Sequence, residues 1–195
     1  MKILFYIPTL SGGGAERVIV NLAEYFAKDG NDTLIINSYS TEDEYRLSDS
    51  VRRVFLEDKP SEKSFIRKNY KYVKKLRKIL KNEKPDILIS FMAEPNFRSV
   101  IATRGLEVKT VVSVRNDPEK EYPTFLYRFL AKFLYKKADG IVFQTQDAMD
   151  FFPLKIRKKS NIIMNSVDPK FFDVQKENEE YAIAVGRLTA QKITL

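Results

Sequence analysis

Apolar residues along this chain fall into short continuous runs separated by longer stretches of helical periodicity. Ile3-Leu4-Phe5-Tyr6-Ile7 is the first run, and behind it Val18, Leu22 and Phe26 recur on one helical face. Further runs follow at Thr33-Leu34-Ile35-Ile36, Val54-Phe55-Leu56, Ile87-Leu88-Ile89-Ser90-Phe91, Thr110-Val111-Val112-Ser113-Val114, Ile141-Val142-Phe143 and Ile162-Ile163-Met164. Each predicts a strand. A long helix is predicted over 62–82, its stripe formed by Ile66, Tyr70, Val73, Leu76 and Leu80, and Pro85-Asp86 ends it. Shorter helices are predicted over 96–104, stopped by Gly105, and over 122–137, and the polar stretch 38–50 is a loop. Strands that alternate with helices and are almost wholly apolar belong to a parallel sheet covered on both faces. The expected fold is therefore α/β, a doubly wound parallel sheet of Rossmann-like type, with ligands at the C-terminal ends of its strands.

The end of the chain departs from this rhythm. Residues 167–180 are polar and charged apart from Phe171-Phe172. A fresh apolar run, Tyr181-Ala182-Ile183-Ala184-Val185, then leads into Gly186-Arg187-Leu188-Thr189-Ala190-Gln191-Lys192. The expected organisation is a first domain over 1–166, a connector over 167–180 and the first strand of a second, truncated domain over 181–195. The alternative is a closing strand of the first sheet.

Composition removes several chemistries. The 195 residues include no histidine and no cysteine, which excludes histidine general bases, Ser-His triads, imidazole or thiolate metal sites and disulfides. No Asp-x-Asp motif is present and no metal is expected. No apolar run approaches the length of a membrane span, and the N-terminal run is too short for a secretory signal, so a cytoplasmic protein is expected. The net charge of +8 favours an anionic partner. No helix-turn-helix pattern or RNA-binding signature is found, and nucleic acid is not expected.

The basic residues are patterned. Lys71, Lys74, Lys75 and Lys78 crowd the long helix, where they form either a solvated outer face or a contact with an anionic membrane. Over 122–137, Phe125, Phe129 and Phe133 form one row and Arg128, Lys132 and Lys136 the next. That pattern suits a bilayer interface and, equally, a buried helix with snorkelling cations.

Candidate binding chemistry gathers at strand ends. Ser11-Gly12-Gly13-Gly14-Ala15-Glu16-Arg17 joins the first strand to a helix start, a layout that turns backbone N–H groups toward an anion. It is not a dinucleotide fingerprint, because Arg17 stands where the third glycine belongs and Asn37, not an acid, closes the second strand. Glu94 follows the fourth strand, and Arg115, Asn116 and Asp117 follow the fifth. No two carboxylates are identifiable as the acid and nucleophile of a glycosidase.

Three of these motifs in order, Gly12-Gly13-Gly14-Ala15-Glu16-Arg17-Val18, Asn165-Ser166-Val167-Asp168 with Phe171-Phe172, and Val185-Gly186-Arg187-Leu188 with Lys192, resemble retaining glycosyltransferases of family 4. The resemblance implies the GT-B fold, two Rossmann-like domains facing each other across a cleft. This chain would be the acceptor-binding half and the first strand of the donor half, with most of the nucleotide-sugar pocket in the missing C-terminal donor domain. It implies Gly13, Gly14, Arg187 and Lys192 at the donor diphosphate, and Glu16, Arg17, Glu94, Arg115, Asn116 and Asp117 on the acceptor side. The expected donor is a nucleotide sugar, UDP-linked, used as substrate with no cofactor. The expected acceptor is lipid-linked or a glycan, met at the inner face of the plasma membrane. Members often carry a histidine on the loop after the fifth strand; Arg115-Asn116 occupies that place here.

Overall fold

The computed structural model describes residues 1–58 and 64–165, within a compact unit that ends at Asn165. The connector and the strand expected over 167–195, with Arg187 and Lys192, lie outside the described residues.

The elements in order are β1 (Lys2–Ile7), α1 (Gly14–Lys28), β2 (Asp32–Asn37), β3 (Val51–Phe55), α2 (Phe65–Glu83), β4 (Ile87–Phe91), α3 (Ala93–Ala102), β5 (Lys109–Ser113), α4 (Pro118–Glu121), α5 (Phe125–Leu134), a 3-10 turn (Tyr135–Lys137), β6 (Gly140–Phe143), α6 (Gln146–Asp150), α7 (Leu154–Arg157) and β7 (Ser160–Ile162). The strands form one sheet, all pairs parallel, in the order β3-β2-β1-β4-β5-β6-β7. The direction of winding reverses between β1 and β4, which opens a crevice beyond their C-terminal ends.

Alternation along the central strand divides the core. Ile3, Phe5 and Ile7 of β1 face α1 and meet Ile19, Val20 and Ala23. Leu4 and Tyr6 face the other way and meet Tyr72, Leu76 and Leu80 of α2. On that second face, Val112, Val114, Ile141 and Phe143 pack under α3 and α5 through Phe97, Val100, Ala131 and Leu134. Both faces of β1 are buried, which is why its sequence shows no polar alternation.

Several expectations shift. The long helix turns Tyr72, Leu76 and Leu80 to the sheet, with Val73 and Ile79 beside them. Ile66 and Tyr70 belong to the next ridge round the helix and are 78% and 71% exposed. Two helical pieces stand here instead of the one expected over 122–137: α4 ends at Glu121, before that range, and α5 begins only at Phe125 and runs into the 3-10 turn. Pro123 cannot continue a helix and drives Tyr122 out of helical geometry, and Asp117 and Thr124 cap the two pieces. Helix α3 begins earlier than expected because Pro95 fits a first turn, where no N–H is required. Helices α6 and α7 are five and four residues long, too short to show periodicity. Strand β7 sits two residues earlier than expected and leaves Ile163 and Met164 exposed.

Candidate functional site

The glycine loop leaves the C-terminal end of β1 and turns into α1 with Gly13 at the cap position. Gly13 N–H donates to the Ser11 carbonyl at 2.6 Å. A Cβ on Gly13 would stand 2.1 Å from Glu16 Oε2, whereas Gly12 and Gly14 have open space around theirs. The close approach to the loop is therefore made by the Glu16 carboxylate, folded back over the start of its own helix. Arg17 lies 4.8 Å over the Tyr45 ring. The loop carrying Tyr45 is stitched down by Glu44, which accepts from Thr41 N–H at 3.1 Å and pairs with Arg53 at 2.7 Å. Arg53 also donates to Asn37 at 2.6 Å, and Asn37 donates to the Ile7 carbonyl. Asn37, Glu44 and Arg53 thus brace the rim beside the glycine loop. Only Asn37 attracted attention in the sequence, and for the acid that it is not.

Glu94 faces the helical layer. It pairs with the buried Arg98 one turn on, accepts from Tyr127 Oη at 3.2 Å and stands 3.8 Å from Lys68. Arg98 in turn donates to Asn69 at 2.7 Å and to Tyr6 Oη at 3.2 Å, with Tyr72 stacked beneath it. Glu94 is a tie between α2, α3 and α5, and it does not line the cavity described next.

That cavity, of about 570 Å³, opens at the ends of β5 and β6. Arg115, Asn116, Asp117 and Glu119 line one side, and Gln144, Asp147 and Phe151 the other. The Arg115 guanidinium lies 5.0 Å over the Phe91 ring and donates to Asn165, while its Nε is buried without a partner. Burial pulls its pKa below the usual guanidinium range. Asp117 caps α4 by accepting Glu119 N–H at 3.0 Å. Sequence reasoning missed Glu121. Its carboxylate turns back beneath this loop, accepts from Asn116 N–H at 3.3 Å, and is pushed up by burial to about 7.

The basic helices divide their cations. Lys71 pairs with Glu57 at 2.5 Å and Lys75 donates to the Leu56 carbonyl, so both turn toward the end of β3, whereas Lys74 and Lys78 are exposed. On α5 the aromatic row faces outward. Phe125 is 85% exposed, Leu126, Phe129 and Phe133 are also exposed, and Phe129 and Phe133 stack at 6.0 Å. The buried side of α5 is Ala131 and Leu134, so the sequence alternative of a sheathed aromatic stripe does not hold. Arg128 and Lys136 are exposed, and Lys132 lies 5.3 Å over the Phe151 ring. Phe65, at the start of α2, approaches Tyr127 of α5 at 6.2 Å. Among the described residues no helix is long and apolar enough to cross a membrane.

A doubly wound parallel sheet with a glycine loop at its switch point and a polar cavity at neighbouring strand ends defines the N-terminal half of a GT-B glycosyltransferase. Residues 12–171 match the model of Glycosyltransferase Family 4, and the chain belongs to that family. It is 30% identical over 198 residues to the GalNAc-alpha-(1->4)-GalNAc-alpha-(1->3)-diNAcBac-PP-undecaprenol alpha-1,4-N-acetyl-D-galactosaminyltransferase of Campylobacter jejuni, covering 98% of this chain and 54% of that protein. It is 24% identical over 201 residues to the amylovoran biosynthesis glycosyltransferase AmsD of Erwinia amylovora, covering 98% and 55%. The chain thus spans about half the length of these relatives. In fold it is similar to HepE from Anabaena, solved with UDP and glucose (TM-score 0.66, 16% identity, 88% and 46% of the two chains). It is also similar to sucrose-phosphate synthase from Thermosynechococcus elongatus (TM-score 0.69, 10% identity, 87% and 49%). The GT-B fold and the family expected from the three motifs are both established.

Proposed function

We propose that this chain is the acceptor-side domain of a retaining glycosyltransferase that moves a hexose or N-acetylhexosamine from a UDP-linked sugar to a lipid-linked acceptor in cell-surface glycan assembly. It works as a peripheral protein on the cytoplasmic face of the plasma membrane. The observation that carries this reading is the outward face of α5, whose aromatic row is exposed, as are Arg128 and Lys136. Lys74 and Lys78 are exposed on α2 of the same domain, whose strand ends hold the Arg115 cavity. Aromatic side chains enter the headgroup boundary while lysines and arginines meet anionic lipid, each contributing on the order of 1 kcal/mol. The undecaprenol in the name of the Campylobacter jejuni relative is support of the same kind.

In this reading Arg115, Asn116 and Asp117 bind the acceptor sugar, with Glu16 and Arg17 at the neighbouring rim. Glu94, partly exposed, joins them on the acceptor side and also holds α3 in place through Arg98. Gly13 and Gly14 approach the donor diphosphate once the Glu16 carboxylate over Gly13 moves aside, and Arg187 and Lys192 supply positive charge to it. The acceptor oxygen forms a bond to the anomeric carbon on the face from which the nucleoside diphosphate departs. The bond from that carbon to the phosphate oxygen breaks with its electron pair, and a phosphate oxygen accepts the acceptor proton. Residues 1–166 form the acceptor domain, 167–180 the connector and 181–195 the opening of the donor domain. Spanning about half the length of the glycosyltransferase relatives, the 195 residues alone are expected not to turn over a nucleotide sugar.

Photo-crosslinking with an undecaprenyl-diphosphate-linked N-acetylgalactosamine probe, mapped by mass spectrometry, tests the acceptor assignment. Labelling within 115–119 that is lost in Arg115→Ala is expected. Labelling confined to other surfaces and unaffected by that change would overturn it.

A further inference from the structure

Two adjoining loops at the end of the sheet meet at one buried carboxylate. After β4, Met92 adopts φ 75° and ψ 156°, a backbone region that side chains other than glycine's hydrogen rarely enter. Such a conformation persists only where the surroundings hold it. It turns the chain abruptly into α3, whose first residue is Ala93. After β5 comes the Arg115-Asn116 loop. The Glu121 carboxylate lies between the two. It accepts from Asn116 N–H at 3.3 Å, and the backbone N–H groups of Ala93 and Arg115 also favour its charged form. Its Oε1 is buried without a partner.

We propose that Glu121 is the positioning residue of the cavity. Its carboxylate latches the strained Met92-Ala93 turn to the Arg115-Asn116 loop and so fixes where the Arg115 guanidinium lies over Phe91. The latch does not depend on what the cavity binds. A carboxyl group serves here because its two oxygens can accept from several converging N–H groups. The charged and titratable groups around it are Arg115 on the β5 loop, Tyr122 beside it in the chain and Tyr135 on the 3-10 turn, with Asp117 and Glu119 on its own loop. Burial raises both tyrosines, and the charge of Glu121 pushes them further the same way. Tyr122 and Tyr135 bond to each other at 2.9 Å, and Tyr135 accepts from Asn96, so neither neutralises the carboxylate. Burial also raises Glu121 itself, which brings its titration into an accessible range.

The test is a pH titration of the chain's amide resonances by ¹H–¹⁵N NMR between about pH 5 and 9. In the wild type, Ala93, Arg115 and Asn116 are expected to titrate with one shared midpoint near 7, although they belong to two loops. In Glu121→Gln, which keeps the shape and one accepting oxygen, that midpoint is expected to vanish from all three. The Arg115 amide is expected to exchange with solvent about tenfold faster, the sign of a loosened latch rather than of a lost fold. Separate midpoints in the wild type would overturn the proposal without any variant being made. A midpoint that survives in Glu121→Gln would overturn it as well.

Discussion

Glu121 shows how far one residue's surroundings decide its chemistry. An ordinary glutamate would be ionised well below neutrality, but burial holds this one protonated up to about 7 in the folded chain. Between about 4.5 and 7 the folded state therefore binds more protons than the unfolded state, and stability falls as pH rises through that window. The loss is on the order of 3 kcal/mol and is complete above the folded-state value. Denaturant melts at a series of pH values are expected to show this decline in the wild type and a flatter profile in Glu121→Gln. A second residue-scale prediction concerns Glu94, whose partly exposed carboxylate pairs with the buried Arg98. Glu94→Ala leaves Arg98 buried without its carboxylate, and a loss of about 2–3 kcal/mol in unfolding free energy is expected by urea denaturation. Neither role was legible from residue type. Glu94 beside a proline at a strand end suggested a ligand contact, and only the turn of α3 that brings Arg98 beneath it adds the structural tie. Glu121 sits between ordinary turn residues, and nothing in the sequence marks it as folding back under the β5 loop.

At the scale of elements, most strands were legible because a buried parallel strand must be apolar on both sides. Ile87-Leu88-Ile89-Ser90-Phe91 coincides with β4. The helices were harder. Periodicity found α2 and the Val73, Leu76 and Leu80 part of its stripe, but it counted the exposed Ile66 and Tyr70 as packed and missed the buried Tyr72. The same misreading hid a useful division among the lysines. Lys74→Glu with Lys78→Glu is expected to lower anionic vesicle binding about tenfold or more while leaving the thermal midpoint nearly unchanged. Lys71→Glu with Lys75→Glu, which removes contacts to Glu57 and to the Leu56 carbonyl, is expected to lower the thermal midpoint by several degrees, on the order of 1–2 kcal/mol. Parallel vesicle sedimentation and calorimetry on the two double variants separate these effects. Equal behaviour of the pairs would contradict the division.

At the largest scale, the surfaces proposed for acceptor binding and for membrane contact lie, among the described residues, at different places on one sheet system. The strand ends carry the glycine loop and the Arg115 cavity, and the helical layer of α2, α3 and α5 carries the exposed aromatic and basic residues. The order of three motifs made the family legible, because each occupies a fixed station in the GT-B chain. The placing of these two surfaces was not, since the outward turn of Phe125, Phe129 and Phe133 depends on Pro123 breaking the helix and on Thr124 restarting it. At this scale the isolated chain is expected to show no hydrolysis or transfer of UDP-linked sugars, measured as UDP release, because it spans only about half the length of its glycosyltransferase relatives. The most direct test of the account is co-sedimentation of the chain with anionic and neutral liposomes at low and high salt. The account predicts binding to anionic vesicles that weakens with salt and is lost when Phe125 and Phe129 are changed to Ser or when Arg128, Lys132 and Lys136 are changed to Glu. Equal, negligible sedimentation with both kinds of vesicle would contradict a membrane-docked acceptor domain.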